Sequence, residues 1–181
     1  MENEIKNLIV LFPGANYCVS YPLLYYAAFK YEVNGYESIK LNYEICIKED
    51  RSYEENIDII KKFVLEQVNE IDFSIYKDIL FVSKSLGTII AGWLADMLAI
   101  NIRQIYLTPV KETLQFLKRG KNIIIVIAGT KDKYLEPDVL KAHCEREQIR
   151  LELIEGVGHR LEIFGDMNVN IDILKRVVEL Y

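Results

Sequence analysis

The chain has 181 residues, 51% of them hydrophobic and 27% charged, with a formal net charge of −5. That length and apolar content suit one compact domain over residues 1–181 and exclude a disordered chain. The acidic balance, with no stripe of Lys and Arg, argues against nucleic acid or an anionic membrane as partner, and no apolar run nears the ~20 residues of a membrane span. The stretch Met1-Glu2-Asn3-Glu4 is acidic and no long apolar run follows it, so no secretory signal is expected. Cys18, Cys46 and Cys144 are scattered, odd in number and without metal-ligand spacing. They read as reduced thiols of a cytoplasmic protein, with no bound metal.

In chain order, residues 8–12 form a continuous apolar run that stops at Pro13. A helix follows, on which Tyr21, Tyr25 and Phe29 repeat every four residues, a spacing that usually marks core. Residues 38–43 alternate, with Ile39, Leu41 and Tyr43 on one side. Ser52-Tyr53-Glu54-Glu55 is a capping box that opens a helix with Ile57, Ile60, Val64, Val68 and Ile71 as its stripe. Residues 79–82 are continuously apolar and lead, after a turn, into a nearly all-apolar helix over 88–99. Further continuous runs cover 105–107 and 123–128, with a short helix over 111–118 between them. Pro137 opens a helix that places Val139, Leu140, His143 and Cys144 on one face, so His143 is expected to pack against the sheet. Residues 150–155 alternate around Leu151 and Leu153, and a last helix covers 169–180. Continuous runs suit the interior of a parallel sheet, and alternation suits its half-exposed edges.

The turn between the third strand and its helix reads Ser83-Lys84-Ser85-Leu86-Gly87. A serine on a sharp strand-to-helix turn, with small residues two places either side, has the layout of a nucleophile elbow. The turn lifts the Ser85 hydroxyl off the sheet edge. It leaves the Leu86 amide at a helix N-terminus, where N–H groups lack helical acceptors and favour negative charge. The bland reading of Ser85 is a plain helix cap. Lys84 reads as a solvated neighbour. Asp132 stands in a loop after the strongest apolar run, and His159 in Gly156-Val157-Gly158-His159 after the last strand. Gly156-x-Gly158 is not a dinucleotide fingerprint, because no strand remains to complete that unit. Its glycines let the loop bend.

A serine, an acid and a histidine, in that order and each beyond the C-terminal end of a strand, make the chain similar to the α/β-hydrolase superfamily over nearly its whole length. The resemblance implies a three-layer α/β sandwich: a six-stranded, mainly parallel sheet of order 2-1-3-4-5-6 with helices on both faces. That order puts the two alternating strands at the edges. It implies Ser85 as nucleophile, His159 as base and Asp132 as the acid that orients it. The oxyanion hole would come from the Leu86 amide and from Ala15 or Asn16 in the loop Pro13-Gly14-Ala15-Asn16-Tyr17. Tyr17 and Tyr21 would line the acyl pocket. Two positions depart from the family: Ser83 replaces the usual glycine of the elbow, and Pro13 the usual histidine of the oxyanion loop.

Fifteen positions separate Thr108 from Ile123, too few for the cap domain that many such hydrolases carry. An open site is therefore expected, suited to a small ester or thioester or to one displayed on something larger. The implied reaction is hydrolysis through an acyl-enzyme with no cofactor. Two alternatives remain: a non-catalytic ligand-binding member of the fold, and a peptidase or carbon–carbon bond hydrolase on the same three residues.

Overall fold

A strand covered on both faces needs apolar side chains in both directions, and four continuous runs meet that need. In a computed structural model, whose described residues are 6–181, they become β1 (Lys6–Phe12), β3 (Tyr76–Lys84), β4 (Arg103–Leu107) and β5 (Ile123–Gly129). The alternating runs become β2 (Tyr36–Lys40) and β6 (Leu151–Ile154), and these two are the edges. Every pairing is parallel, in the order β2-β1-β3-β4-β5-β6. The acidic stretch Met1–Glu4 lies outside the described residues.

Among the described residues four α-helices connect strands, α1 (Pro22–Glu32), α2 (Tyr53–Val68), α3 (Leu86–Leu98) and α4 (Pro137–Glu147), and α5 (Met167–Glu179) follows the last strand. Alternation along each strand sorts them into layers. Ile9, Leu11, Leu80, Val82, Ile105 and Ile127 pack with the apolar sides of α1 and α5. Leu8, Val10, Phe12 and Phe81 pack with α2 and α3, and Tyr106, Val126 and Ala128 extend that face under α4. The capping box of α2 forms as expected. The Ser52 hydroxyl accepts from the Glu55 amide at 3.1 Å, and the Glu55 carboxylate accepts from the Ser52 amide at 2.8 Å. Ile57, Ile60, Val64 and Val68 are buried below it, while Ile71 lies beyond the helix end.

Several expectations need correction. The second strand ends at Lys40. Leu41 and Tyr43 are buried past its end, where the chain turns through a 3₁₀ segment, Glu44–Cys46. The connection between β4 and β5 holds a 3₁₀ segment, Lys111–Gln115, rather than an α-helix. On α1 the aromatic stripe faces outward: Tyr21, Tyr25 and Phe29 are exposed, and Leu23, Leu24, Ala27 and Ala28 meet the sheet. The helix has two apolar faces, and the one carrying two leucines and two alanines is buried. On α4, Val139 is exposed and only Leu140 and Cys144 are buried. His143 shares the flank with Val139. It sits over the connection after β4 instead of the sheet, its Nε2 2.7 Å from the Leu117 carbonyl.

Candidate active site

β3 runs through Lys84, α3 starts at Leu86, and Ser85 alone makes the turn, with φ 54° and ψ −123°. A non-glycine residue held there costs on the order of 1–3 kcal/mol, so its surroundings must enforce it. They do so from both sides. The Ser85 amide donates to the Leu107 carbonyl at 3.0 Å, and the Ser85 carbonyl accepts from the Thr88 amide at 2.9 Å and from the Thr88 hydroxyl. The Ser85 side chain makes no helix-capping bond, which removes the bland reading of this residue. A Cβ on Gly87 would lie 2.4 Å from the carbonyl oxygens of Phe12 and Pro13, so glycine is what lets α3 start against the end of β1. Ser83, where the family has glycine, is buried, and its hydroxyl donates to the Ile105 carbonyl at 3.2 Å. The elbow tolerates it because the extra polar atom has a partner.

The loops after β5 and β6 are knitted together. The Thr130 amide donates to the Ile154 carbonyl at 3.0 Å, the Lys131 amide to the Val157 carbonyl at 2.8 Å, and the Gly156 amide to the Thr130 hydroxyl at 2.8 Å. A Cβ on Gly129 would come within 2.2 Å of the Val157 carbonyl oxygen, so only glycine permits this approach. The result brings together all three residues singled out in the sequence. His159 Nδ1 lies 2.8 Å from Asp132 Oδ2, and His159 Nε2 lies 2.7 Å from Ser85 Oγ. A carboxylate only accepts, so Nδ1 carries a proton, and in the neutral ring Nε2 is then the acceptor for the serine hydroxyl. The other Asp132 oxygen accepts from the Tyr134 amide at 2.9 Å. The Asp132 side chain is 1% exposed and that of His159 17%, and the Tyr134 ring packs on the imidazole with centres 4.3 Å apart.

Ser85 and His159 open into a pocket of about 650 Å³ whose walls include Ala15, Asn16, Tyr17 and Leu86. The β1–α1 loop is closed by the Gly14 amide donating to the Tyr17 carbonyl at 3.0 Å, and the buried Tyr43 hydroxyl donates to the Pro13 carbonyl at 2.6 Å. Tyr17 is buried and its oxygen accepts from the Leu23 amide at 3.0 Å; burial pushes its pKa up to about 12. Tyr21 stands outside the pocket wall and packs edge-on against Tyr17.

Sequence reasoning missed Lys84. It is not solvated: it is 1% exposed, lines the pocket beside Ser85, and burial pushes its pKa down to about 7. The missed signal was the strand itself, which continues two residues past its apolar run and turns Lys84 inward. Tyr53 and Tyr134 also line the pocket and were not singled out. Among the described residues no group of three His, Cys, Asp or Glu side chains is placed to hold a metal ion. No described helix is long and apolar enough to cross a membrane.

No family model and no curated protein sequence matches the chain. Solved structures do. A crystal structure described as a hydrolase of the α/β superfamily from Xanthomonas campestris is 16% identical, with a TM-score of 0.72 over 97% of this chain and 98% of that one. Est1E from Butyrivibrio proteoclasticus, solved with ferulic acid bound, is 14% identical, with a TM-score of 0.63 over 99% and 92%. Esterase 2 from Thermogutta terrifontis, phosphorylated by paraoxon, is 16% identical, with a TM-score of 0.64 over 98% and 81%. Sheet order, strand direction and these likenesses along almost the entire chain agree: this protein has the fold of the α/β hydrolases.

Proposed function

We propose that the protein is a serine hydrolase that cleaves a small ester or thioester through an acyl-enzyme. The observation that carries this reading is the unbroken chain from the Ser85 hydroxyl through the His159 imidazole to the buried Asp132 carboxylate, at 2.7 and 2.8 Å, with the serine on a strained turn facing a cavity. Ser85 Oγ attacks the acyl carbon while His159 Nε2 takes its proton. The imidazolium that forms is stabilised by Asp132. Negative charge gathers on the former carbonyl oxygen, and the Leu86 amide, with the amide of Ala15 or Asn16, receives it. The tetrahedral species then collapses. His159 returns the proton to the leaving alcohol or thiol, and the acyl group stays on Ser85. A water gives a proton to His159, attacks the acyl carbon and releases the acid, and Ser85 regains its proton.

Est1E with ferulic acid and the paraoxon-modified esterase favour an ester substrate and a serine open to organophosphates. The short connection between β4 and β5 favours a substrate reached without a cap. The test is incubation with a fluorophosphonate followed by peptide mass analysis, alongside a panel of short-chain p-nitrophenyl esters and acyl thioesters. The expected result is one adduct, on Ser85, and turnover of at least one ester class that the adduct abolishes. An unmodified Ser85 would favour a ligand-binding protein on the same fold.

A further inference from the structure

Lys84 precedes the strained serine and ends the same strand. An ammonium buried this far costs free energy unless its protons are satisfied. Its Nζ donates to the Thr108 hydroxyl on one side and to the backbone carbonyl of His159, at 2.8 Å, on the other. The Tyr17 ring covers it, with the ring centre 5.1 Å away. Thr108 is itself fully buried and left-handed, with φ 42°, and its amide donates to the Ile127 carbonyl at 2.6 Å. A strained, pinned residue thus supplies one end of the contact, and the residue bearing the imidazole supplies the other. Nothing in the acyl-transfer scheme above requires a lysine here, yet the fold buries its amine against the backbone of His159.

We propose that Lys84 is a positioning residue for His159, tying the histidine's backbone to the end of the strand that carries Ser85. This rests on the reading of Ser85 and His159 as nucleophile and base. His159 lies in the connection between β6 and α5, whereas Ser85 is fixed by β3 and α3. Ring and hydroxyl must stay aligned across that boundary, and a displacement of about 1 Å costs ~100-fold in rate. Besides the imidazole itself, the Lys84 side chain spans the boundary. Its amine donates to the His159 carbonyl whether charged or neutral. On losing its proton it only reverses its bond with Thr108, whose hydroxyl then donates. The charged and titratable groups facing it are Asp132 from the loop after β5, Tyr17 from the loop after β1, and His159, Arg160 and Glu162 from the loop after β6. The alignment therefore survives titration of the lysine itself.

The experiment compares wild-type protein with Lys84→Met, which keeps the length of the stem and removes the donor. The rate of fluorophosphonate labelling at Ser85 is measured against reagent concentration, which separates the limiting rate from the reagent's binding constant. The expected result is a limiting rate lower by ~100-fold, a binding constant within about threefold, and a cooperative melt. A role in packing alone would leave the limiting rate unchanged in the folded variant. Lys84→Gln, with an N–H donor on a shorter chain, is expected to recover part of the rate, and the donor-less Lys84→Leu replaces Lys84→Met should that variant fail to melt cooperatively. A folded variant labelled at the wild-type rate, or one changed only in binding constant, overturns the inference and leaves the proposed function standing. Wild-type protein that takes no label at Ser85 overturns both.

Discussion

The two ends of the sheet carry the same kind of chain in different hands. At the C-terminal end a hydroxyl, a base and a carboxylate run Ser85–His159–Asp132. Near the N-terminal end a hydroxyl, a base and a carboxylate also meet: Tyr36 and Arg103 both bond Asp78, and Arg103 reaches the Tyr36 oxygen at 3.0 Å. The second group is a clasp. Arg103 never gives up its proton, so nothing can be relayed through it. None of its three residues has a left-handed backbone, and solvent reaches the ion pair. In the first group the base can lose its proton, the hydroxyl stands on a strained turn, the carboxylate is sealed off, and the chain ends in a cavity. A linked hydroxyl, base and carboxylate is thus not a signature of catalysis. What sets the first group apart is a hydroxyl on an enforced backbone, joined to an imidazole and facing a cavity.

Removing one hydroxyl should have the largest effect. Ser85→Ala should abolish ester turnover, by up to ~10⁶-fold for a triad nucleophile, while the melting temperature stays within a degree or two. Comparable turnover by the variant would end the reading. Asp132→Asn leaves the shape but offers the imidazole the wrong partner, and should cost about 10⁴-fold in kcat. The matching change in the clasp, Asp78→Asn, should leave kcat untouched.

The pH dependence of stability sharpens the contrast further. Burial holds the Lys84 amine at about 7 in the folded chain, against about 10.4 for a free lysine. Between those values the unfolded chain binds the proton and the folded chain does not, so stability rises with pH across that window. The rise from this group amounts to as much as about 5 kcal/mol, and it is absent below pH 7, where both states are charged. Lys84→Met removes it. The wild-type melting temperature should therefore climb relative to the variant's from pH 7 to 10 and run parallel below pH 6. Parallel curves throughout would mean the lysine is not buried as described.

The clasp has the opposite sign and the smallest effect. Burial pushes the Asp78 carboxyl up, but the bonds from Arg103 and Tyr36 outweigh it and leave the pKa below the ordinary range. Its stabilisation is present above pH 4 and is lost as pH falls through the lowered value. With about a third of both side chains exposed, solvent screening keeps the contribution near 1 kcal/mol. Asp78→Asn should cost that much at neutral pH in a denaturant melt, with the gap closing in acid.

Which strands are interior and which are edges was legible because the sequence distinguishes strands covered on two faces from strands covered on one; the full order came from the resemblance to the α/β hydrolases. Residues 8–12, 79–82, 105–107 and 123–128 are apolar without interruption and lie inside; residues around Ile39 and around Leu151 alternate and lie at the edges. Ser85, Asp132 and His159 were legible because each stands just past a strand end, and in a parallel sheet all such ends meet on one edge. Tyr17 was legible for the same reason. The aromatic stripe of α1 misled, because a helical repeat names a face without saying which face the sheet takes. Here the sheet takes the face of Leu23, Leu24, Ala27 and Ala28, and the bulky rings turn outward.

By itself, the sequence determined roughly where the strands lie, which of them are interior, and that Ser85, Asp132 and His159 stand past strand ends. These follow from local periodicity and turn chemistry, which neighbouring residues carry among themselves. The tertiary structure decided what depends on partners far along the chain. Lys84 looks like a surface lysine until the fold brings it Thr108 and His159, 24 and 75 positions away. Gly129 looks like an ordinary strand end until the loop from β6 lays the Val157 carbonyl against its Cα. Tyr43 looks like strand core until its hydroxyl, 30 positions on, finds the Pro13 carbonyl. Each of these three cases includes a backbone carbonyl, that of His159, Val157 or Pro13, and a backbone carbonyl is the same in every residue that could have supplied it.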